Sequence, residues 1–145
     1  MKRKHLTLIV TLMISVAFAL NASLALAECM TKDDLVAEAK KNIVMISVSD
    51  AKGLFDKGGV IFLDVRDRKE FKSGHISGAV HISRGFLEFK IGKKIPDKNA
   101  LIVIYCKKGG RGSLAAYNLV RMCYKNVKNM DGGWKAWTKA GYPVE

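Results

Sequence analysis

Leu101-Ile102-Val103-Ile104-Tyr105 is a run of five apolar residues with no polar residue alternating through it. A strand with one face in water shows a period of two, so an unbroken run suits a strand covered on both faces. Val60-Ile61-Phe62-Leu63 is a second run of the same kind. Two such strands with helical stretches between them predict an α/β domain on a mainly parallel sheet.

The flanking signals fill in the order. Thr31, with Asp34 three residues on, predicts a helix start, and that helix runs to about Lys41. Met45 to Val48 is a short strand, and Ser49 caps a second helix that carries Leu54 and Phe55 and stops at Lys57-Gly58-Gly59. A helical turn from Asp67 to Phe71, a strand from Ala79 to Ile82 and a turn of helix at Gly85 to Phe89 follow. Ile95 to Asn99 reads as a turn. After the second apolar run, Ala116, Leu119, Val120 and Cys123 have the spacing of one buried helix face. Asn126 to Met130 is a last strand, and Trp134 and Trp137 are core anchors on a short final helix rather than a platform for a ligand.

The amino terminus is of another kind. Lys2, Arg3 and Lys4 precede an apolar run from Leu6 to Leu20, and Ala25-Leu26-Ala27 places small residues where a signal peptidase reads. At about 15 residues the run is short for a membrane span, which needs about 20. Residues 1–27 are therefore read as an export signal cleaved before Glu28, with residues 28–145 a single domain; an uncleaved anchor is the competing reading. An exported, soluble and periplasmic protein is the expectation. The whole chain carries a formal charge of +12, and residues 28–145 alone carry +9. Nucleic acid is seldom met outside the cytoplasm, and the lysines are not interleaved with aromatics in one block. They read as solvated surface, or, for Lys90, Lys93, Lys94, Lys98, Lys107 and Lys108, as a field that steers a small anion.

The second apolar strand runs straight into Cys106-Lys107-Lys108-Gly109-Gly110-Arg111-Gly112-Ser113 and then a helix. Ligands of open α/β sheets bind beyond the carboxyl ends of the strands, where Cys106 falls. Gly109, Gly110 and Gly112 permit tight turns that aim successive N–H groups at one centre. The helix start adds free donors and the positive end of its dipole, and Lys107, Lys108 and Arg111 add cations. Such surroundings stabilise an anion on sulfur, which makes Cys106 the candidate nucleophile. The loop lacks the Lys-Ser/Thr pair of a nucleotide-binding P-loop. Nothing has metal-ligand spacing, and no dissociable cofactor is implied.

From about Ile46 to Val144 the sequence resembles the single-domain rhodanese family of sulfurtransferases. Asp64-Val65-Arg66-Asp67, Glu70-Phe71 and Gly74-His75-Ile76-Ser77-Gly78-Ala79 look like the family's first signature. Cys106 to Arg111 looks like its active loop and Asp131-Gly132-Gly133-Trp134-Lys135-Ala136-Trp137 like its terminal signature. The resemblance implies a rhodanese-like α/β fold, a five-stranded mainly parallel sheet with helices on both faces. It implies that Cys106 carries a persulfide, held with the anionic donor by the loop amides and Arg111. Four residues separate Cys106 from Arg111; related phosphatases and arsenate reductases have five, a wider cradle for a tetrahedral oxyanion. The shorter ring resembles the sulfur-transferring branch.

Two positions depart from that pattern. Gly112 stands where many relatives have Ser or Thr, and Ser113 either replaces that hydroxyl or caps the helix. Cys123 stands where relatives commonly place a glycine. Asp64 and Arg66 are read as a supporting network and His75 as a structural hydrogen-bonder. With three cysteines, a Cys29–Cys123 disulfide would leave Cys106 free; the competing reading keeps Cys123 reduced on the buried helix face. The expected function is sulfur transfer from thiosulfate or a similar anionic donor to a thiol or cyanide. A persulfide carrier for another exported protein and an oxyanion phosphatase or arsenate reductase are the alternatives.

Overall fold

In the computed structural model, residues 29–145 are described. The expected export signal lies outside them. Thr31–Glu145 forms one compact unit. In chain order its elements are α1 (Lys32–Lys41), β1 (Val44–Ile46), α2 (Val48–Lys57), β2 (Val60–Asp64), α3 (Arg68–Lys72) and β3 (Val80–His81). A 3-10 turn (Arg84–Phe86) leads into α4 (Leu87–Lys94), then β4 (Leu101–Tyr105), α5 (Gly110–Arg121), β5 (Asn126–Met130) and α6 (Gly133–Lys139). The five strands form one sheet in the order β1-β5-β4-β2-β3, with every pairing parallel. The α/β class and the parallel five-stranded sheet are those expected.

The two apolar runs lie side by side, with Leu63 opposite Ile104 and Phe62 opposite Val103. Successive side chains point to opposite faces, so each run feeds two cores. Leu63, Ile102 and Ile104 join Leu87 and Ile91 of α4 and Ala115, Ala116 and Leu119 of α5 on one face. Phe62, Val103 and Tyr105 join Ala51 of α2 and Trp137 of α6 on the other. Phe55, Phe62 and Trp137 meet edge-on or tilted with ring centroids 5.5–5.7 Å apart.

Local chemistry sets the helix ends. Thr31 and Asp34 form a reciprocal capping box, the Asp34 amide donating to Thr31 Oγ1 at 3.2 Å. The cap of α2 is Ser47, not Ser49. A capping box needs an acid three residues on, and Asp50 stands at that distance from Ser47 and closes the box. One consequence is that the first strand ends at Ile46.

The far end of α5 corrects a second expectation. Ala116 and Leu119 are buried, but Val120 is 39% exposed and Cys123 lies beyond the helix, exposed. The Tyr124 amide donates to Leu119 O and the Cys123 amide to Val120 O, both at 3.0 Å, the double bond pattern of a Schellman C-cap. That motif needs a left-handed residue, and Cys123 adopts φ +66°. Glycine takes this conformation freely and other residues do not. The departure from glycine noted in the sequence therefore marks a strained turn, and Cys123 is not a core residue. All three cysteines are free thiols.

Replacing Cys123 by glycine should relieve that strain. Cys123→Gly is expected to raise the unfolding free energy by about 1 kcal/mol, shown by a higher urea midpoint at unchanged slope. A lower midpoint would mean that the thiol makes contacts worth more than the strain.

Candidate active site

β4 is the central strand, and it delivers Cys106 to the carboxyl edge of the sheet. The residue is 2% exposed. The turn after it pivots on Gly109, whose φ of +107° is open to glycine and costly for other residues. Three donors converge on the Gly109 carbonyl: the Ser113 amide at 2.8 Å, Ser113 Oγ at 3.1 Å and Asn129 Nδ2 at 3.4 Å. With its carbonyl fixed in this way, Gly109 turns its own N–H onto Cys106 Sγ at 3.2 Å. One amide of the loop thus reaches the sulfur.

A second fastening comes from α6. The Trp134 amide donates to Cys106 O at 2.7 Å and the Lys135 amide to Lys107 O at 3.2 Å. Gly133 makes the approach feasible: at φ +56°, a Cβ there would run into Cys106 O and lie 3.2 Å from the Gly109 nitrogen. The terminal signature therefore holds the loop from behind.

Ser113 neither faces the sulfur nor caps the helix. Its hydroxyl donates to Gly109 O and accepts from Asn129 Nδ2 at 3.1 Å, all of it buried. Asn129, fully buried on β5, was not singled out in the sequence. It also explains Gly112, because a Cβ at 112 would collide with Asn129 Oδ1. The space a side chain at 112 would need is thus occupied by the Asn129 amide.

Arg111 is placed differently from the expectation of a free anion-binding fork. Its Nη1 and Nη2 donate to the two oxygens of Glu70 at 2.7 and 3.0 Å, and Nη1 lies 3.3 Å from Asp67 Oδ2. The hydrogen bond from Arg111 holds the Glu70 carboxyl down at about 2, and Glu70 in turn raises Arg111. Asp64 and Arg66 form a second pair, nearly out of contact with water, with Nη2 2.6 Å from Oδ2. The Arg66 guanidinium also donates to Gly74 O at 2.7 Å and lies 4.4 Å from the centroid of the Trp134 ring. Trp134 is thus half-buried, packed against the edge of the core and forming a wall beside Arg66, whereas Trp137 is the fully buried core anchor. Burial, together with the Asp64 carboxylate nearby, pushes the Tyr105 phenol upward, and its oxygen accepts from the Ile76 amide.

A shallow cavity of about 330 Å³ opens here, lined by Arg66, Lys69, Glu70, Ser73, Lys107 and Trp134. Lys107 and Lys108 are exposed. His75 bonds Phe71 O and Glu145 Oε1, each at 3.1 Å, and stacks on Phe71, which places it in structure. Among the described residues no three His, Cys, Asp or Glu side chains are grouped to hold a metal ion, and no helix is long and apolar enough to cross a membrane.

The model of the family described as the rhodanese-like domain matches residues 47–140. The mitochondrial protein HIGH ARSENIC CONTENT 1 of Arabidopsis thaliana is 33% identical over 77% of this chain and 74% of its own. The thiosulfate sulfurtransferase GlpE of Haemophilus influenzae is 34% identical over 60% of this chain and 81% of its own. Among solved structures, the polysulfide-sulfur transferase homodimer of Wolinella succinogenes is 33% identical, with a TM-score of 0.67 over 76% of this chain and 83% of its own. Relatives with these names support sulfur transfer as the general chemistry.

Two measurements test the geometry. Gly112→Ser should destabilise the fold by about 1–3 kcal/mol through overpacking. Combining it with Asn129→Gly should give a coupling of about 1 kcal/mol or more in the direction of relief; additive effects would mean that Asn129 is not what excludes a side chain at 112. The second is acid titration of Glu70, whose folded value of about 2 lies below its ordinary 4.5. Its contribution is full above pH 4.5 and is lost as pH falls toward 2. Between those limits the wild type should lose about 1–2 kcal/mol more stability than Glu70→Gln, allowing for partial exposure. Parallel loss in both would show that the pair adds no pH-linked stability.

Proposed function

The chain belongs to the rhodanese-like domain family, and from that premise we propose that it is a sulfurtransferase working through a persulfide on Cys106. The Cys106 thiolate attacks the outer sulfur of thiosulfate or a similar anionic donor. The new bond forms between the two sulfurs, the donor's S–S bond breaks, and its electron pair leaves with sulfite. An incoming thiolate or cyanide then attacks the outer sulfur of the persulfide, and the Cys106 thiolate is regenerated. Atoms and charge balance in each half without an external oxidant.

The observation that carries the reading is the Gly109 N–H on Cys106 Sγ at 3.2 Å, in a turn whose carbonyl is held by three donors. A donor held in place before the reaction stabilises charge on sulfur without reorganising as the charge moves. Lys69 and Lys107 at the cavity mouth favour an anionic donor by charge. Arg111 contributes to positioning: clamped by Glu70 and Asp67, it ties the end of the loop to α3. For Arg111 to bind the donor directly, a donor oxygen would have to displace one of those carboxylates. We further propose that the working protein is exported and starts at Glu28.

Intact-mass measurement tests both statements. After thiosulfate, wild type should gain the mass of one sulfur atom and Cys106→Ala should gain none, and the starting mass of the protein isolated from its native cell reads the cleavage. No gain on wild type, or an equal gain on Cys106→Ala, would sink the persulfide mechanism.

A further inference from the structure

A second cavity lies on the far side of α3 from the active-site mouth. This short helix presents Lys69 and Glu70 to the mouth and Arg68, Phe71 and Lys72 to the second cavity. The opposite wall is α4 and the turn before it, with Phe86, Lys90 and Lys94. The space is about 490 Å³, and no acidic residue lines it. Its cations are stacked at i, i+4 on both walls, Arg68 with Lys72 and Lys90 with Lys94, and all four are exposed. Like charges at that spacing destabilise a helix. Among the described residues none of the four makes an ion pair. The nearby acids are committed elsewhere: Asp67 and Glu70 to Arg111, and Glu88 to Arg84 and Asn118. The floor is mixed, with Ile82 buried, Phe71 stacked on His81 at 4.5 Å and Ser83 beside them. Phe86 is 56% exposed at the rim, and the Lys90 ammonium sits 4.6 Å from the centroid of its ring.

We infer that this groove docks an acidic segment of a partner protein, with an apolar or aromatic side chain seated on Phe71 and Phe86 and carboxylates on the four cations. An inorganic anion fills a small part of the 490 Å³ and leaves Phe71 and Phe86 unused. Exposed Phe86 and Phe89 on the same wall could also meet a lipid surface, so vesicle binding is one arm of the test. The interface pattern of an apolar centre and a charged rim suits a peptide. Docking would set the partner across α3 from the cavity lined by Lys69 and Lys107, on the side of the molecule where a protein that gives or takes the persulfide sulfur would work; the identity of the partner as a sulfur-handling protein rests on the function proposed above.

The test uses Cys106→Ala, which binds without transferring sulfur, and a labelled peptide of Asp and Glu around one Phe. Binding should weaken about tenfold in Lys72→Glu/Lys90→Glu, fall as salt rises, and weaken when the peptide's Phe is replaced by Ser. Lys40→Glu/Lys41→Glu on α1 makes the same change in net charge and should leave binding within about twofold. No binding, equal loss in both double variants, or indifference to the peptide's Phe overturns the groove. Binding to anionic phosphatidylglycerol vesicles through the same lysines, with none to the peptide, overturns it in favour of a lipid surface. Thiosulfate loading of wild type reads the sulfur chemistry separately, so either reading can fail alone.

Discussion

A buried strand cannot end with its last carbonyl unpaired, because a peptide oxygen without a donor away from water costs about as much as a lost hydrogen bond. At the end of the most buried strand Tyr105 O is met by the Val65 amide at 3.0 Å, and the carbonyl of Cys106, the next residue, by the Trp134 amide at 2.7 Å. Much of the local architecture follows from that bond. It draws the start of α6 onto the loop, and it requires a residue without Cβ at 133. It also puts Trp134 against Arg66, so that one pairing places both the sulfur-bearing loop and a wall of the cavity.

Electrostatics in the site are largely settled within one short stretch of chain. Asp64, Asp67 and Glu70 between them hold Arg66 and Arg111. The two guanidiniums serve as ties, one from the sheet edge to Gly74 O and one from α5 to α3. The positive potential left at the mouth comes from Lys69 and Lys107 together with backbone dipoles. These sources suit transient attraction of an anion, since exposed ammonium groups remain hydrated and exchange partners easily.

What the sequence disclosed was what local chemistry decides. The two unbroken apolar runs specified strands covered on both faces, and the strand–Cys–glycine–helix unit specified where the loop lies. Thr31 with Asp34 was legible as a cap because its partners are three residues apart. The misplaced cap at Ser49 and the misassigned Cys123 are failures of the same local reading: two serines compete for one box, and a helix period extends past its true end. Pairings across the fold were not legible. Nothing near Arg111 announces Glu70, 41 positions away, and Asn129 sits in a strand whose alternation tells only that it shares a face with Val127. Gly112 looked like a loss of hydroxyl chemistry until its neighbour on another strand was known.

Cys106 belongs to the apolar cluster shared with α4 and α5, whereas Trp134, which takes hold of its carbonyl, packs with the cluster of α2 and α6. The sheet separates these two bodies of side chains, and the sulfur-bearing residue is registered to both. Core substitutions on either face bear on the loop as far as they change the offset between the faces at the end of β4, besides their own packing cost. A repacking that slid one layer over the other would shear the loop, altering the angle between amide and sulfur before it cost the fold its stability.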